Sequence, residues 1–443
     1  MIMRCRKCLI ACQMNNNIKP TILFVLPWLP YPLRSGGHQA IFNGIRAVKD
    51  DFNVIITYQE PSEITNEENK KLCNVRLGGS VAILPYKLPA PPLPQPVRFK
   101  TRVHRFLRKL FNRETKTAID TGQNSKYKSW INEIQLLSKP FVDHVLSLID
   151  RFKVDVVQCE MIRNAAFVYY LPDKVTKVFV HHEIAFVRQA LEALSIKGDE
   201  MEKTACLKYA MAKEIGTLDL YDAVITLSQV DSDKLKQNGV SSEIFTSFAV
   251  VDTKPVQHKC SIDSKKLSFV GPSTSPPNIA AVKWFLENCW AALLEKDNYQ
   301  LQIVGHWDES IQKEILSRYL NVSFTGFVND LADAIKDTIS IVPITVGSGI
   351  RMKILENAAI GVPIVSTTIG AEGLPFVNNE HCLIADTPQD FVNAIIQLED
   401  EVLWLRLVNN ASDTVKSQFS FDLLKKNRLG LYHELLARHS FVK

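Results

Sequence analysis

Residues 347–356, which read GSGIRMKILE, bring two glycines, two cations and a carboxylate together within ten positions. An apolar run that predicts a buried strand precedes them, and the residues after them predict a helix that ends at Gly361 before another buried strand. A glycine loop at the N-terminus of a helix leaves backbone N–H groups free to bind an anion, and Arg351 and Lys353 add positive charge there. Glu356 lies about two turns into the helix, where its carboxylate could accept hydrogen bonds from sugar hydroxyls. Together these residues predict a binding site for the diphosphate of a nucleotide that carries a sugar.

This stretch resembles the donor site of glycosyltransferase family 4, the group 1 glycosyltransferases, which are retaining enzymes of the GT-B fold. The resemblance continues in residues 366–374 (STTIGAEGL) and, upstream, in residues 267–271 (LSFVG), 277–278 (PN), 303–305 (IVG) and 324–327 (FTGF). It spans residues 20–376 and is strongest after residue 267. The resemblance implies that the donor is bound by Gly347, Ser348, Gly349, Ile350, Arg351, Lys353 and Glu356.

Short apolar runs alternate with helical patterns along both halves of the chain. They predict strands at residues 21–26, 53–58, 81–84, 155–158, 177–180 and 223–227, and then at 267–270, 300–304, 322–325, 339–343, 362–366 and 382–385. Buried strands separated by helices predict parallel sheets covered on both faces, with ligands beyond the carboxyl ends of the strands. We therefore expect an α/β protein of the GT-B type, with two doubly wound, Rossmann-like domains facing a central cleft.

The expected domains have different roles. Residues 20–252 are predicted to form the acceptor-side domain and residues 265–418 the domain that binds the nucleotide sugar, with the boundary in a polar stretch at 251–264. Residues 419–443 have a helical pattern, and the resemblance implies that this last helix crosses back to the first domain.

Gly36 and Gly37 follow the first predicted strand and a Pro-rich loop, where a helix is predicted to begin near His38. Glycines allow a backbone to approach a phosphate or an acceptor group closely. A plain turn is the alternative interpretation of such a pair. Because their place after the first strand matches the family, we include both glycines among the expected donor-binding residues.

A pair of histidines, His181 and His182, ends another predicted strand and is followed by Glu183. This end of the strand lies at the edge of the sheet where ligands bind. The resemblance implies that a histidine here contacts the donor sugar near the reacting carbon, and His182 fits the family pattern better than His181. We therefore expect His182 and Glu356 to be the catalytic residues, with Arg188 as a weaker candidate for holding an acceptor anion.

Two features of the family are absent. The family often carries two glutamates eight positions apart across the donor loop; Glu356 matches the second, but Ser348 stands where the first would fall. Many relatives also place a basic residue just after the first strand of the second domain, and residues 271–274 (GPST) contain none. Arg351 and Lys353 are then the best candidates to neutralise the diphosphate.

Residues 231–233 (DSD) have the form of the Asp-x-Asp metal motif of the other main glycosyltransferase fold. They lie between a predicted strand and a predicted helix, where carboxylates in the first helical turn explain them without a metal. The resemblance to GT-B enzymes likewise implies a metal-independent reaction. We therefore expect no metal site and no cofactor, with the nucleotide sugar as a substrate.

The composition is that of a soluble globular protein of two or three domains, with 443 residues, 46% of them hydrophobic and 22% charged. No run of eighteen apolar residues exists, and residues 1–19 lack the apolar core of a signal peptide, so we expect a cytoplasmic protein. Nine scattered cysteines argue against a disulfide framework, and Cys5, Cys8 and Cys12 are interpreted as part of a disordered leader rather than a metal site. The basic residues do not recur along the chain, which disfavours nucleic-acid binding.

Residues 97–116 are predicted to form a basic amphipathic insertion in the first domain. Residues 98–116 contain eight Lys or Arg and one Glu, whereas the net charge of the whole chain is +5. The apolar positions, which include Phe99, Phe106 and Phe111, recur at helical spacing on one side. Docking on anionic lipid headgroups and packing on its own domain both agree with this pattern. The aromatic residues and the dense charge favour the membrane, on the inner face of the plasma membrane.

The resemblance implies a retaining glycosyltransferase. It would move a sugar from a UDP- or GDP-linked donor to a glycan or lipid-linked acceptor, in cell-surface polysaccharide or lipopolysaccharide synthesis. Two other classes stay open, a nucleotide-sugar epimerase on the same fold and a non-catalytic partner subunit that binds a nucleotide sugar. An epimerase would need acid–base residues around the sugar and no acceptor cleft, and the basic insertion argues against it.

Residues 98–116 should bind vesicles that contain anionic lipids. Each cation near an anionic surface contributes roughly 1 kcal/mol and buried aromatic side chains add an apolar contribution, so salt should weaken the binding. Co-sedimentation would compare the parent with a variant in which Arg102, Arg105, Arg108 and Lys109 are changed to Ser. Equal pelleting of the two proteins, or no pelleting of the parent at low salt, would leave the segment as ordinary domain packing.

Overall fold

The computed structural model of the chain describes residues 19–60, 66–88, 127–194, 196–251 and 265–442, and the statements below concern these residues. The predicted basic insertion at 97–116, the N-terminal cysteines and nearly all of the expected domain boundary at 251–264 lie outside them. Within the described residues, no helix combines the length and the apolar character needed to cross a membrane.

The first sheet consists of seven parallel strands. The strands of this half are β1 (Thr21–Val25), β2 (Asn53–Thr57), β3 (Gln59–Glu60), β4 (Val81–Ile83), β5 (Tyr86–Lys87), β6 (Val156–Glu160), β7 (Thr176–His181), β8 (Ala223–Thr226) and β9 (Glu243–Thr246). The sheet has the order β4-β2-β1-β6-β7-β8-β9, while β3 and β5 pair only with each other. Every neighbouring pair in the sheet is parallel.

The second sheet has six parallel strands. They are β10 (Lys266–Val270), β11 (Gln300–Val304), β12 (Val322–Gly326), β13 (Ile339–Val342), β14 (Ile364–Ser366) and β15 (Leu383–Ile384), in the order β12-β11-β10-β13-β14-β15. In each sheet the chain starts in the middle, moves to one edge, and returns to continue on the other side. The order in which the chain adds strands to the sheet therefore reverses between β1 and β6 and between β10 and β13. Doubly wound sheets bind their ligands at such points.

Helices cover both sheets. Those of the first half are α1 (Gly36–Val48), α2 (Glu67–Arg76), α3 (Lys139–Phe152), α4 (Ala185–Ala193), α5 (Glu200–Leu218) and α6 (Gln229–Gln237), with 3-10 helices at Tyr127–Asn132 and Ile162–Tyr169. The second half contains α7 (Pro276–Asn288), α8 (Trp290–Lys296), α9 (Glu309–Leu316), α10 (Leu331–Ile335), α11 (Met352–Ile360), α12 (Thr368–Ala371), α13 (Pro388–Gln397), α14 (Glu401–Gln418) and α15 (Phe421–Val442). The predicted fold class, two doubly wound parallel sheets, is confirmed.

The strand β1 shows why the first sheet is buried on both faces. Ile22 and Phe24 belong to one hydrophobic cluster, whereas Leu23 and Val25 belong to another. Successive side chains of a strand point to opposite faces, so an uninterrupted apolar run requires a cover on each side. The edge strand β9 was not predicted, because its four residues are only half-buried and form no such run.

The last helix, α15, packs against α1 and the first sheet although it follows the second sheet in sequence. Its residues Leu424, Leu431, Tyr432 and Leu435 are buried in the same cluster as Phe24. The ring of Tyr432 meets that of Phe52 edge-on, with centroids 5.6 Å apart. The core of the first domain is thus completed by the end of the chain.

Two glycine substitutions should change stability in opposite directions. Gly239 follows α6 with φ +92°, and no atom lies within 4 Å of the place where a Cβ would stand. Gly239→Ala should therefore cost about 1–2 kcal/mol from the left-handed backbone alone. Gly216→Ala, in α5 and also with open space, should stabilise by about 0.5–1 kcal/mol because alanine favours the helix. Denaturant titration measures both, and a Gly239→Ala protein as stable as Gly216→Ala would contradict the expectation.

Candidate active site

The glycine loop between β13 and α11 lies against the first domain. Gly347 and Gly349 have φ angles of +137° and +76°, which L-residues rarely adopt. A Cβ on Gly349 would stand 2.4 Å from the backbone oxygen of His182, at the end of β7. Ser348 Oγ donates to the backbone oxygen of Ile184 at 3.0 Å. The residue that replaces the expected family glutamate therefore bonds across the two domains.

The first residues of α1 and α11 touch each other across the same interface. A Cβ on Gly36 would lie 2.5 Å from Met352 Cγ, whereas one on Gly37 would lie 2.9 Å from Met161 Cε within the first domain. The start of α11 has no side-chain cap, so no cap takes the N–H groups of Met352 and Lys353, while the N–H of Ile354 donates to the backbone oxygen of Arg351 at 2.8 Å. Each helix N-terminus carries a partial positive charge, and two such ends in contact favour an anion between the domains.

Arg351 braces the glycine loop. Its Nη1 donates to the backbone oxygens of Ser348 and Gly349, each at 2.5 Å. Nη2 is buried and has no hydrogen-bond partner among the described residues. Burial lowers the pKa of Arg351, although the carboxylates of Glu183 and Glu372 oppose this shift. Arg351, which was expected to bind the phosphate, thus uses Nη1 to hold its own loop, whereas its Nη2 has no partner among the described residues.

Lys353 occupies the position next to the loop after β10. Its Nζ donates to Asn278 Oδ1 at 2.7 Å and lies 4.2 Å from the centre of the Phe269 ring. A Cβ on Gly271 would stand 2.9 Å from this amine. Burial, with a smaller effect of the nearby Arg351 charge, lowers the pKa of Lys353 to about 7. A cation from α11 therefore lies where the family usually has a basic residue after the first strand.

Glu356 faces the first domain from the second turn of α11. Its Oε1 accepts a hydrogen bond from Gln39 Nε2, which lies in the first turn of α1. Burial raises the pKa of Glu356, while the Gln39 hydrogen bond and the Lys353 charge lower it. The carboxylate is thus held at the interface between the domains.

The two adjacent histidines have different partners. His182 Nε2 lies 2.6 Å from Oε2 of Glu160, the last residue of β6. His181 Nε2 lies 2.8 Å from Glu214 Oε1. The Glu214 carboxylate also accepts from the N–H groups of the first two residues of α4. His181 is therefore bound to a carboxylate that caps a helix, whereas His182 lies beside the glycine loop.

Arg188 is enclosed by three carboxylates. Its guanidinium contacts Glu133 at 2.6 Å, Glu183 at 2.8 Å and Glu192 at 3.0 Å. These three ion pairs neutralise the charge of Arg188 within the first domain. The geometry therefore gives no support to Arg188 as the group that holds an acceptor anion.

Asp231 caps α6. Its N–H donates to Ser228 Oγ at 3.0 Å, and its carboxylate accepts from the same hydroxyl at 2.7 Å. Burial raises the pKa of Asp231. Over the described part of the chain, no group of three or more His, Cys, Asp or Glu side chains is arranged to hold a metal ion. The capping interpretation of residues 231–233 thus describes the local geometry.

Three residues of the site were not predicted. Gln39 and Asn278 hold Glu356 and Lys353, and Glu160 holds His182. Glu160 had a weak signal, because it is a carboxylate that ends a buried apolar strand at the ligand-binding edge. Asn278 had a weak signal, because residues 277–278 belong to the resemblance, although no binding role was assigned to it. Gln39 had none, since a Gln at a helix start is common on any surface.

The second domain matches a known family. Residues 264–401 match the family model described as Glycosyl transferases group 1, so the chain carries a group 1 glycosyltransferase domain and the predicted resemblance is confirmed there. No curated protein matches the chain significantly.

Solved structures share the complete two-domain architecture. HepE from Anabaena, in complex with UDP, is 13% identical, with 94% of this chain and 100% of that chain covered and a TM-score of 0.63. A TarM variant from S. aureus, in complex with fondaparinux, alpha-GlcNAc-glycerol and UDP, is 12% identical over 94% and 100% of the chains, with a TM-score of 0.63. Sucrose-phosphate synthase from Thermosynechococcus elongatus is 15% identical over 95% and 100%, with a TM-score of 0.64. The fold is GT-B, as predicted.

Lys353 should take up a proton when an anion binds. With a pKa of about 7 its amine is about 90% neutral at pH 8, and a diphosphate beside it favours the charged form. Calorimetry of pyrophosphate binding at pH 8, in buffers of different ionisation enthalpy, should show nearly one proton more taken up by the parent than by Lys353→Met. Lys283→Met is the control, because Lys283 is paired with Glu314 at 2.8 Å. Equal uptake by the parent and Lys353→Met would assign the proton to another group.

Proposed function

We propose that the protein is a retaining glycosyltransferase that moves a sugar from a UDP- or GDP-linked donor to a glycan or lipid-linked acceptor. The observation that carries the proposal is the contact between the N-termini of α1 and α11, with Lys353 beside the loop after β10. This place lies beyond the carboxyl ends of both sheets and favours a diphosphate. The group 1 match of residues 264–401 supports glycosyl transfer, and the UDP complexes of HepE and TarM favour a uridine donor.

The reaction needs positive charge where the diphosphate departs. The amides at the start of α11 and the Lys353 amine are fixed there before the reaction, so they stabilise the leaving group without reorganising. Nη2 of Arg351, which has no partner among the described residues, can donate to the same anion. We propose that these groups replace a divalent cation and that the reaction is metal-independent.

Glu356 is proposed to bind the ribose, and His182 the sugar near the reacting carbon. Both residues lie where the two domains meet, with Gln39 on one side and the glycine loop on the other. A site enclosed between domains excludes water, which lets an acceptor hydroxyl compete with hydrolysis. No protein nucleophile is assigned.

The acceptor is proposed to be presented at a membrane. This part of the proposal rests on the charge and apolar spacing of residues 98–116, eight Lys or Arg with one Glu. We propose that the enzyme is cytoplasmic and docks on the inner face of the plasma membrane. There it would reach a lipid-linked acceptor for cell-surface polysaccharide or lipopolysaccharide synthesis.

Glu356→Ala should weaken donor binding. Losing a hydrogen bond to a charged group costs about 1.5–3 kcal/mol, which corresponds to roughly a tenfold to hundredfold rise in the dissociation constant. Calorimetry with UDP and GDP would measure it, with Glu309→Ala, on the exposed start of α9, as the control. Parent-like affinity of Glu356→Ala for whichever nucleotide the parent binds would refute the assignment.

A product assay separates the three classes of function. Incubation with UDP- and GDP-sugars, with and without a membrane extract as acceptor source, should release nucleoside diphosphate faster when acceptor is present. An epimerase would change the sugar without releasing the nucleotide. A non-catalytic subunit would bind nucleotide and do neither, and either of these results would overturn the proposal.

A further inference from the structure

Four side chains form a continuous hydrogen-bonded series from the last helix to His182. The Tyr432 hydroxyl, on α15, donates to Gln158 Oε1 on β6. Gln158 Nε2 donates to Glu160 Oε1 at 2.5 Å, and Glu160 Oε2 lies 2.6 Å from His182 Nε2. Tyr432, Gln158 and Glu160 are each no more than 2% exposed. We call this series the Tyr432 relay.

Each bond in the relay fixes the orientation of the next group. A carboxylate at 2.6 Å requires that His182 Nε2 carries a proton, so Nδ1 is the nitrogen left for the site. Glu160 cannot rotate freely because Gln158 holds its other oxygen. The Gln158 amide cannot flip, because its oxygen must accept from Tyr432 while its nitrogen donates to the carboxylate. A buried polar group that loses its hydrogen-bond partner destabilises the fold, so other orientations of Gln158, Glu160 and His182 are disfavoured.

The hydroxyl of Tyr432, the first group of the relay, remains a hydrogen-bond donor at physiological pH. Burial raises the pKa of Tyr432 to about 12, although the Arg428 guanidinium beside it lowers that pKa. Arg428 lies one turn earlier on α15 and is 3% exposed, with Nε and Nη1 lacking hydrogen-bond partners among the described residues. The same buried region thus contains the negative Glu160 and a positive guanidinium, both fixed by the fold.

The neighbouring histidine provides an internal comparison. His181 also meets a buried glutamate, but Glu214 continues to the N–H groups of Ala185 and Phe186 at the start of α4. The hydrogen bonds of His181 therefore end at the start of α4 and stabilise that helix end. The hydrogen-bonded series that reaches α15 starts from His182, the histidine whose backbone contacts the glycine loop.

We propose that Tyr432, Gln158 and Glu160 are positioning residues for His182, so that the C-terminal helix sets the tautomer and orientation of the imidazole in the active site. The proposal rests on the proposed function, because it needs His182 to act on the donor sugar. The three residues act through His182 and do not touch the donor themselves.

The test combines kinetics with the NMR signature of the imidazole. In the parent, long-range 1H–15N spectra should show His182 as the Nε2–H tautomer. Tyr432→Phe and Glu160→Ala should give a mixture of tautomers. Their kcat should fall about tenfold or more while the donor KM stays within about twofold. Glu160→Gln keeps an acceptor oxygen and should recover part of the loss.

Tyr221→Phe is the matched control. Its hydroxyl also makes a buried hydrogen bond in the first domain, to the backbone oxygen of Ala165 at 2.7 Å. It also meets the side chain of Cys159, which lies on the opposite face of β6 from Gln158 and Glu160 and is not a member of the relay. This variant should keep the parent tautomer and kcat, with any cost confined to the melting temperature. A fall in kcat for Tyr432→Phe no larger than that for Tyr221→Phe would overturn the inference.

His182→Ala separates the failure of the relay from failure of the proposed function. Parent-like transfer by His182→Ala would remove the histidine from the site and refute that part of the proposed function. Loss of transfer in His182→Ala, with parent-like tautomer and kcat in Tyr432→Phe, would overturn the relay alone. The tautomer spectrum needs no donor, so the inference can be tested even before the sugar is identified.

Discussion

The site depends on two contacts so close that only glycine fits. Gly349 lies against the His182 carbonyl and Gly36 against Met352, at positions where a Cβ would stand 2.4 and 2.5 Å from its neighbour. Real Cβ atoms do not tolerate such distances, so a larger residue would force a shift of the His182 backbone at one contact and of the Met352 side chain at the other. The cross-domain bonds of Ser348 and Gln39 exist because the backbones are this near. The steric constraint therefore places two helix N-termini, one from each domain, at the same point.

Burial at this interface disfavours the charged forms of Lys353 and Glu356, the two side chains proposed to bind the donor. It lowers the pKa of Lys353 and raises that of Glu356, so desolvation favours the neutral form of each group. The two side chains lie on one helix and each reduces the shift of the other. A bound diphosphate would restore the ammonium form of Lys353. The two shifts therefore describe an electrostatic arrangement that the diphosphate of the proposed donor would complete.

The sequence predicted the features that are local along the chain. Apolar runs located the strands of the two large sheets except β9, and missed the short pair β3 and β5. The glycines of 347–349 predicted the loop at the start of α11. Sequence reasoning could not foresee that Lys353 reaches Gly271, because Lys353 lies on α11 and Gly271 follows β10, two elements that are distant in sequence. It assigned Arg351 to the phosphate, whereas one of its nitrogens is bound by the carbonyls of its own loop. The Tyr432 relay could not be predicted, because Tyr432 lies 274 positions after Gln158 and no periodicity connects the two residues.

The packing of α15 has a consequence for how the protein is made. The first domain is synthesised first, yet its core includes Leu431, Tyr432 and Leu435, which are synthesised only after the whole second sheet. Until α15 has been synthesised, the face that it covers on α1 and the first sheet remains open to water. Domains usually fold as units while the chain is still growing, and exposed apolar surface invites aggregation or chaperone binding. Final packing of the first domain must therefore wait for α15, and a chain truncated before this helix would lose part of the core of its first domain.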